Sequence, residues 1–270
     1  MTIVVYPNVG SSGNPSTAII DNESSLALPP YMQVSRGLVS GTSVVNIYGF
    51  QNALPNSSAA TFYPVWENAN AYPSYPSTAI QMWILSSSSS DTAVQVIISG
   101  LDSSYNPISE TITTNGTTHV ATANKYLRIN GMQITGTVNA VGTINVVDSA
   151  TTTTNQYGEI MAGSGKSQAM IYTVPNGYIF YLTRSNAYSN QSGNTINNYC
   201  VYRVWTQSNT GIIQVLLQAP FTNSYQTIRV APRAYAAKTD IQWQAAGGPS
   251  SGTSSVGIGV EGILIATGTP

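Results

Sequence analysis

The sequence predicts an all-β fold of two β-sandwich, jelly-roll-like domains, preceded by an extended N-terminal arm. Short apolar runs rich in β-branched residues recur along the chain, and turn-forming residues separate them. No amphipathic helical pattern of about ten residues or more is present. The 270 residues are enough for the cores of two domains of ordinary size. Many short strands without a helical period are typical of sandwiches and jelly rolls.

The arm is predicted at residues 1–35. A short apolar run, Ile3 to Tyr6, precedes a segment rich in Gly, Ser, Pro and Asn, and Leu28-Pro29-Pro30 follows. Such a segment either docks on a neighbouring subunit or on the body of the protein, or is a partly disordered terminus. The sequence leaves both alternatives open.

The first sandwich is predicted at residues 36–148. We expect its strands within 37–50, 80–85, 94–99, 108–114, 126–134 and 142–147. Gly100 to Pro107 supplies the Gly, Pro and small polar residues of a chain reversal. Asn115-Gly116 is the dipeptide most typical of a type I′ turn, because both residues tolerate positive φ. We therefore predict a tight hairpin at Asn115-Gly116.

Thr61 to Ser77 differs from the strands, because three prolines interrupt its five aromatic residues. Large rings are usually buried, which favours a segment that folds back on its own domain. Alternatively, the segment is an exposed surface that contacts a partner subunit or a sugar. The candidate residues for contact with a partner or glycan are Tyr63, Trp66, Tyr72 and Tyr75.

The second sandwich is predicted at residues 156–270, after Asp148 to Asn155, which has no apolar periodicity. Pro175-Asn176-Gly177 lies between two strongly apolar runs and predicts another hairpin. Strands at 197–206 and 211–218 are expected to pair. The last strand, within Ser255 to Ala266, alternates Gly with apolar residues, which suits close approach by another backbone.

Composition argues against several classes of function. Nine basic and ten acidic residues give a net charge of −1 and form no basic cluster, so we expect no nucleic-acid binding. The single cysteine, Cys200, lies in a strand-like run and is expected to be buried and inert. No apolar run reaches the roughly 20 residues of a membrane span, and no signal peptide is visible. Neutral polar surface tolerates close packing against other proteins, which favours a subunit of an assembly.

We find no convincing catalytic, cofactor or metal site. Gly163 to Ser167 ends like a phosphate-binding loop, but the first glycine of that motif is replaced by Ile160 and no helix follows. His119 is the only histidine, and no partner can be assigned to it. The spacing of the carboxylates predicts no catalytic pair for glycoside hydrolysis; those considered are Glu67, Asp102, Glu110, Glu159 and Glu261. We therefore predict a protein that is not an enzyme.

The stretch from Asp91 to Gly136 resembles a segment of structural proteins of tailed bacteriophages, notably marine and cyanobacterial ones. The matching pieces are GLD-x-x-Y-N-x-I-S-E-T at Gly100 to Thr111, N-G-T-T at Asn115 to Thr118, and Y-L-R-I-N at Tyr126 to Asn130. Ser40 to Phe50 and the Y-T-V-P-x-G piece within Met170 to Gly177 are also similar. The C-terminal third lies outside the resemblance.

The resemblance implies a virion structural protein with no catalytic residues to assign. We expect it to be attached to the capsid as a decoration, cement or short head-fibre protein, assembled in the host cytoplasm. Its partners would be further copies of itself and major capsid or tail proteins, without a nucleic acid or a membrane. The alternative is a tail or fibre component that contacts host-surface glycan through residues 61–77.

Overall fold

Sixteen strands and one short helix form the part of the chain that the structure, a computed structural model, describes. The described residues are 29–56, 61–68, 72–191, 199–248 and 252–268. Most of the predicted arm, residues 1–35, lies outside them. The helix is α1 (Pro30–Ser35). The strands are β1 (Thr42–Pro55), β2 (Tyr63–Pro64), β3 (Ile80–Ser86), β4 (Gln95–Leu101), β5 (Pro107–Thr113), β6 (Val120–Tyr126), β7 (Arg128–Thr135), β8 (Ile144–Val147), β9 (Gln156–Ile160), β10 (Ile171–Thr173), β11 (Tyr178–Gln191), β12 (Cys200–Gln207), β13 (Ile213–Phe221), β14 (Ser224–Tyr235), β15 (Asp240–Ala246) and β16 (Thr253–Ala266).

Eight of the strands form an antiparallel jelly roll. Sheet I has the order β1-β16-β11-β14, and sheet II has the order β10-β15-β12-β13, with the short β2 also paired to β15. Numbered along the chain, the eight strands follow the order 1-8-3-6 in sheet I and 2-7-4-5 in sheet II. Neighbours thus come from distant parts of the chain, as in the two Greek keys of a jelly roll.

Alternation with a period of two builds the interior of the jelly roll. Along β12, every second side chain is buried and the others are half-buried. The buried set includes large rings from both sheets, among them Phe180 of sheet I and Tyr202 and Trp243 of sheet II. Cys200 is fully buried in the same core, as predicted.

The other seven named strands form a second sandwich, which is inserted in the chain between β2 and β10. Sheet III has the order β6-β3-β8-β9, and sheet IV has the order β5-β4-β7. Its separate core contains fully buried aliphatic side chains from both sheets, including Met82, Ile84, Val96, Ile98 and Ile144. The predicted all-β fold of two sandwiches is confirmed.

The sheets divide the chain differently from the predicted boundaries at 36–148 and 156–270. β1 pairs along its length with β16, from Thr42 opposite Ile265 to Pro55 opposite Thr253, so the N-terminal strand belongs to the jelly roll. β1, β11 and β16 each have 14 residues and lie side by side in sheet I. β9 pairs with β8 and so belongs to the inserted sandwich.

The turn at Asn115-Gly116 is tight but does not form the predicted type I′ hairpin. The Thr118 N–H donates to the Asn115 carbonyl at 3.0 Å, and within this turn only Gly116 has a positive φ, +59°. The flanking β5 and β6 lie in different sheets. The turn closes one residue later than a type I′ Asn-Gly hairpin would, because the Thr114 N–H donates to the Val94 carbonyl at 2.9 Å. Gly116 ties the turn to another segment: its N–H donates to the Asp91 carbonyl at 2.8 Å, and its carbonyl accepts from the Ser86 N–H at 2.9 Å.

Pro175-Asn176-Gly177 also connects two sheets, because β10 belongs to sheet II and β11 to sheet I. The hairpin predicted there is therefore wrong. By contrast, the predicted pairing of β12 with β13 is confirmed, and β4 pairs with β5 through the reversal after Gly100.

As its sequence predicts, the glycine-rich strand β16 lies very close to a neighbouring strand. A Cβ atom at Gly262 would lie 2.4 Å from the Phe180 ring and 2.5 Å from the Tyr181 carbonyl oxygen. A side chain at this position would therefore force the two strands apart.

Candidate functional site

The two sandwiches are joined by a buried ion pair. Arg128, at the start of β7 in the inserted sandwich, faces Asp240, at the start of β15 in the jelly roll. The guanidinium Nε donates to Oδ1 at 2.7 Å, and Nη2 donates to Oδ2 at 2.9 Å. The side chains are only 8% and 2% exposed. This two-bond geometry fixes both distance and orientation between the sandwiches.

The remaining hydrogen-bonding groups of the pair are also used. The Nη1 of Arg128 donates to the carbonyls of Pro76 at 3.0 Å and Leu127 at 2.8 Å. The hydroxyl of Thr173 donates to Oδ1 of Asp240 at 2.6 Å. Burial lowers the pKa of Arg128, but its bonds and charge interaction with Asp240 outweigh burial, and the pKa is raised. A saturated pair of this kind acts as a structural joint.

Tyr105 reaches the same joint from the turn between β4 and β5. The Asp102 carboxylate accepts from the backbone N–H groups of Ser104 at 2.8 Å and Asn106 at 2.9 Å, which holds the turn closed. Tyr105 there has φ of +65°, and its ring centroid lies 5.5 Å from the guanidinium carbon of Arg128. Its carbonyl accepts from the Asn176 N–H of the jelly roll at 2.8 Å.

Glu110 bonds within the inserted sandwich, and Asn130 bonds across the junction. The Glu110 carboxylate accepts from the Tyr126 hydroxyl at 2.9 Å and from the Ala123 N–H at 2.8 Å. Asn130 exchanges two hydrogen bonds of 2.9 Å with the backbone of Thr173 across the junction. Of the pieces that carry the sequence resemblance, Tyr105, Arg128 and Asn130 therefore contact the jelly roll across the junction.

The aromatic segment folds back on the protein. Trp66 is 1% exposed, so it offers no ring face to a partner. Tyr63 is half-buried against the jelly-roll core, and Tyr72 packs against the inserted core and lies 5.3 Å from Trp66. Tyr75 has the guanidinium of Arg128 over its ring at 4.4 Å, and its hydroxyl accepts from the amide of Gln242 at 3.1 Å. Burial raises the pKa values of Tyr72 and Tyr75. The four candidate contact residues thus form no single exposed platform.

Tyr72 and Tyr75 nevertheless line a cleft of about 560 Å³ beside the joint. The opposite wall comes from the outer face of sheet II and the turn between β12 and β13. The residues on that wall include Trp205, Gln207, Ser208, Asn209 and Gln242. The sequence did not identify Trp205, Gln207 and Asn209 as candidates. Trp205 lies in a predicted strand, and Gln207 to Thr210 has only the pattern of a polar turn. No local signal shows that this turn faces the aromatic segment.

The residues considered for chemistry form no recognisable catalytic centre. Gly163 to Ser167 is a turn in which Gly163 and Gly165 have positive φ, and a strand follows instead of a helix. Among the described residues, no three metal-ligating side chains of the His, Cys, Asp or Glu type come together.

Glu67 and Glu159 are two candidate carboxylates with raised pKa values. Burial raises the pKa of both, and the charge of Glu159 adds a smaller contribution to that of Glu67. The Glu159 carboxylate accepts from the Asn68 amide at 3.1 Å. Neither glutamate lines the cleft.

One edge of the jelly roll exposes aliphatic side chains to solvent. The edge strands β13 and β14 are consecutive, and Arg233 of β14 donates to the Leu216 carbonyl of β13 at 3.3 Å. Ile228, opposite Arg184, is 72% exposed. Val230 is fully exposed and lies among four residues of β14 that bulge out opposite one residue of β11. The exposed aliphatic residues of this open edge are Ile212, Ile213, Val215, Ile228 and Val230. In the described part of the chain, no helix has the length and apolar character of a membrane span.

The sequence matches no protein-family model and no curated protein. Solved structures similar to this chain include T=1 particles derived from infectious bursal virus, with a TM-score of 0.25 and 8% identity over 85% of this chain and 71% of that chain. The structure of the Gx strain of infectious bursal disease virus has a TM-score of 0.24 and 8% identity, and the match covers 85% of this chain and 73% of that chain. The VP2 subviral particle of that virus has a TM-score of 0.20 and 9% identity, and the match covers 89% of this chain and 83% of that chain. These TM-scores are too low for the likeness to indicate a function.

Proposed function

We propose that this chain is a non-enzymatic structural protein of a bacteriophage virion, attached to the capsid as a decoration, cement or short head-fibre protein. The observation that carries the proposal is the open edge of the jelly roll, with its five exposed aliphatic side chains. These side chains project from the edge strands of both sheets, and a subunit that packs against a neighbour through this edge removes them from water. The bulge in β14 disfavours strand addition along that strand, so we assign its contact to side chains.

The rest of the molecule supports the same role. Jelly rolls are common in viral capsid proteins, although lectins and cupins share the architecture. The resemblance to tailed-phage structural proteins coincides with the joint between the sandwiches, which gives the subunit one fixed shape. A fixed shape suits repetition on a symmetric lattice. Its partners would be copies of itself and the major capsid or tail proteins, and the arm at residues 1–35 would add contacts across neighbours.

Quantitative mass spectrometry of purified particles tests the proposal. The expected result is a copy number of this chain that is commensurate with the copy number of the major coat protein. A few copies per particle would move the protein to the tail or to one vertex. Absence from the particle would refute the role in the virion.

A second candidate function is a tail or fibre component that contacts host-surface glycan through residues 61–77. The specific observation in its favour is the open cleft, which has Tyr72 and Tyr75 of this segment in its wall. Adsorption of particles to host cells in the presence of excess purified protein tests this role. Competition supports it, and undiminished adsorption contradicts it.

A further inference from the structure

We propose that the cleft between the two sandwiches binds an uncharged oligosaccharide, with Trp205, Gln207 and Asn209 as the contact residues. The inference rests on the second candidate function and names its site and ligand class. The contact residues lie on the jelly roll, opposite the aromatic segment, and were not among the residues predicted from the sequence.

The charge of the cleft excludes an ionic ligand as the natural occupant. Arg128 and Asp240 are the charged side chains among the described residues of its lining, and they neutralise each other at 2.7 Å. The guanidinium already donates to Asp240, to two carbonyls and, at 3.5 Å, to the Tyr105 hydroxyl. Within this lining a phosphate, sulfate or carboxylate would therefore lose its hydration without finding an unpaired cation, since the Lys238 ammonium, 5.7 Å from the Tyr105 ring, is not part of the lining.

The hydrogen-bonding groups that remain suit hydroxyl groups. The side-chain amides of Gln207 and Asn209 make no hydrogen bond with any part of the chain that the structure describes, and both line the cleft. An amide donates and accepts at once. Of two neighbouring sugar hydroxyls, one can accept from the amide N–H while the other donates to the amide oxygen. Each amide can therefore bind such a pair with two hydrogen bonds.

Trp205 supplies the apolar part of the site. It lies on the outer face of sheet II, directly opposite Gln242 of β15, and its side chain is half-buried. The rings of Tyr75 and Tyr105 are already occupied by Arg128 at 4.4 and 5.5 Å. The ring of Tyr72 is packed against other aromatic rings, at 5.3 Å from Trp66 and 6.0 Å from Tyr157. We therefore assign the indole to the C–H face of a sugar, whose partial positive charge is attracted to an aromatic face.

The walls of the cleft are fixed before any ligand arrives. The ion pair sets the separation of the sandwiches, and the Gln242–Tyr75 bond of 3.1 Å holds the aromatic segment to sheet II. Binding therefore requires little ordering of the protein. The volume of about 560 Å³ lies within the range of roughly 300–1,000 Å³ that is usual for small-molecule sites.

The test is a titration of the purified full-length chain with neutral oligosaccharides, namely maltohexaose, cellohexaose, chitohexaose and galactan fragments, and with sulfated and sialylated counterparts. Tryptophan fluorescence and saturation-transfer NMR report binding. We expect at least one neutral probe to bind, with an affinity that is unchanged up to about 0.5 M salt. Gln207→Ala and Asn209→Ala should each weaken binding about tenfold, and Trp205→Ala at least as much.

Tyr188→Ala and Gln226→Ala are the matched controls, since both exposed residues lie on the outer face of sheet I, on β11 and β14. Both should bind like the unaltered chain. The inference is overturned if no neutral probe binds at about 10 mM, if a charged probe binds more tightly, or if the controls lose as much affinity as the cleft variants. These outcomes are independent of the particle measurements: a purified chain that binds sugar but is absent from virions refutes the virion role alone.

Discussion

The two halves of the outer face of sheet II are built in opposite ways. At β10 and β15, the face is covered by the aromatic segment and the inserted sandwich, and it contains the buried pair of Arg128 and Asp240. At β13, the same sheet ends in the open edge, which exposes Ile213 and Val215. The covered half has charged groups whose bonds are all satisfied, and the bare half has aliphatic groups without polar partners.

The difference separates two kinds of contact. A charge-assisted, two-bond contact fixes one geometry, which is what a permanent joint within a chain needs. An aliphatic strip contributes free energy without demanding one orientation, which suits a contact that forms after folding. Only 7% of the residues are charged. A charged pair at the junction therefore marks a contact whose distance and orientation matter.

The largest expected effect comes from breaking the joint. Arg128→Ala should lower the free energy of unfolding by about 3–5 kcal/mol, because Asp240 is left buried without its counter-charge. Urea denaturation measures this loss. The control is Arg184→Ala, whose 3.8 Å contact with Glu261 is exposed and should contribute less than about 1 kcal/mol.

A double variant sharpens the same comparison. Arg128→Met combined with Asp240→Leu should recover most of the stability lost in Arg128→Ala, because neither charge remains to be buried. A single variant that costs less than the exposed Arg184→Ala would show that the pair is not a joint.

A somewhat smaller loss is expected at Asp91 in the inserted sandwich. Its carboxylate accepts from the Ser86 hydroxyl at 2.6 Å and from the Val141 and Gly142 N–H groups at 2.8 and 2.9 Å. Asp91→Ala should cost about 2–3 kcal/mol, because these buried donors lose their acceptor.

The pH dependence follows from the same bonds of Asp91. Burial raises its pKa, but the three hydrogen bonds outweigh burial, and the pKa is lowered. The contribution is therefore present above the ordinary carboxyl pKa and is lost as the pH falls through the lower folded value. Acid titration of unfolding should show this loss in the unaltered chain and not in Asp91→Ala.

Glu67 should give a small effect of opposite sign. Burial raises its pKa, so this residue favours the folded state most below the ordinary carboxyl pKa and loses that contribution as the pH rises. Glu67→Gln should then be more stable at pH 7 by less than about 1 kcal/mol and should depend less on pH. Thermal unfolding at several pH values measures this, with the exposed Glu261→Gln as control. Lower stability of Glu67→Gln at pH 7 would contradict the assignment.

The smallest effect on stability is expected at the open edge. Ile228→Ser and Val230→Ser should change the free energy of unfolding by no more than about 0.5 kcal/mol, because both side chains are exposed. Their incorporation into particles should fall, as measured by the ratio of this chain to the coat protein. Val141→Ser, at a residue 69% exposed on the inserted sandwich, is the control and should be incorporated normally.

Local patterns predicted much of the fold and little of the site. Alternation located most strands, and the glycines of β16 predicted its close contact with Phe180. Pairing between distant strands was not predictable, since nothing in Thr42 to Pro55 indicates that its partner begins at Thr253. The cleft was missed for the same reason: the aromatic segment is held to sheet II by the bond between Gln242 and Tyr75, residues 167 positions apart.

Hydrogen exchange of the chain, free and in purified particles, compares the two regions most directly. If the joint is permanent and the open edge forms the assembly contact, amides at 127–130 and 239–242 exchange equally slowly in both states. Amides at 212–215 and 226–231 then become protected only in the particle. Protection of the junction that appears only in the particle, or an open edge that exchanges equally fast in both states, would contradict this division of roles.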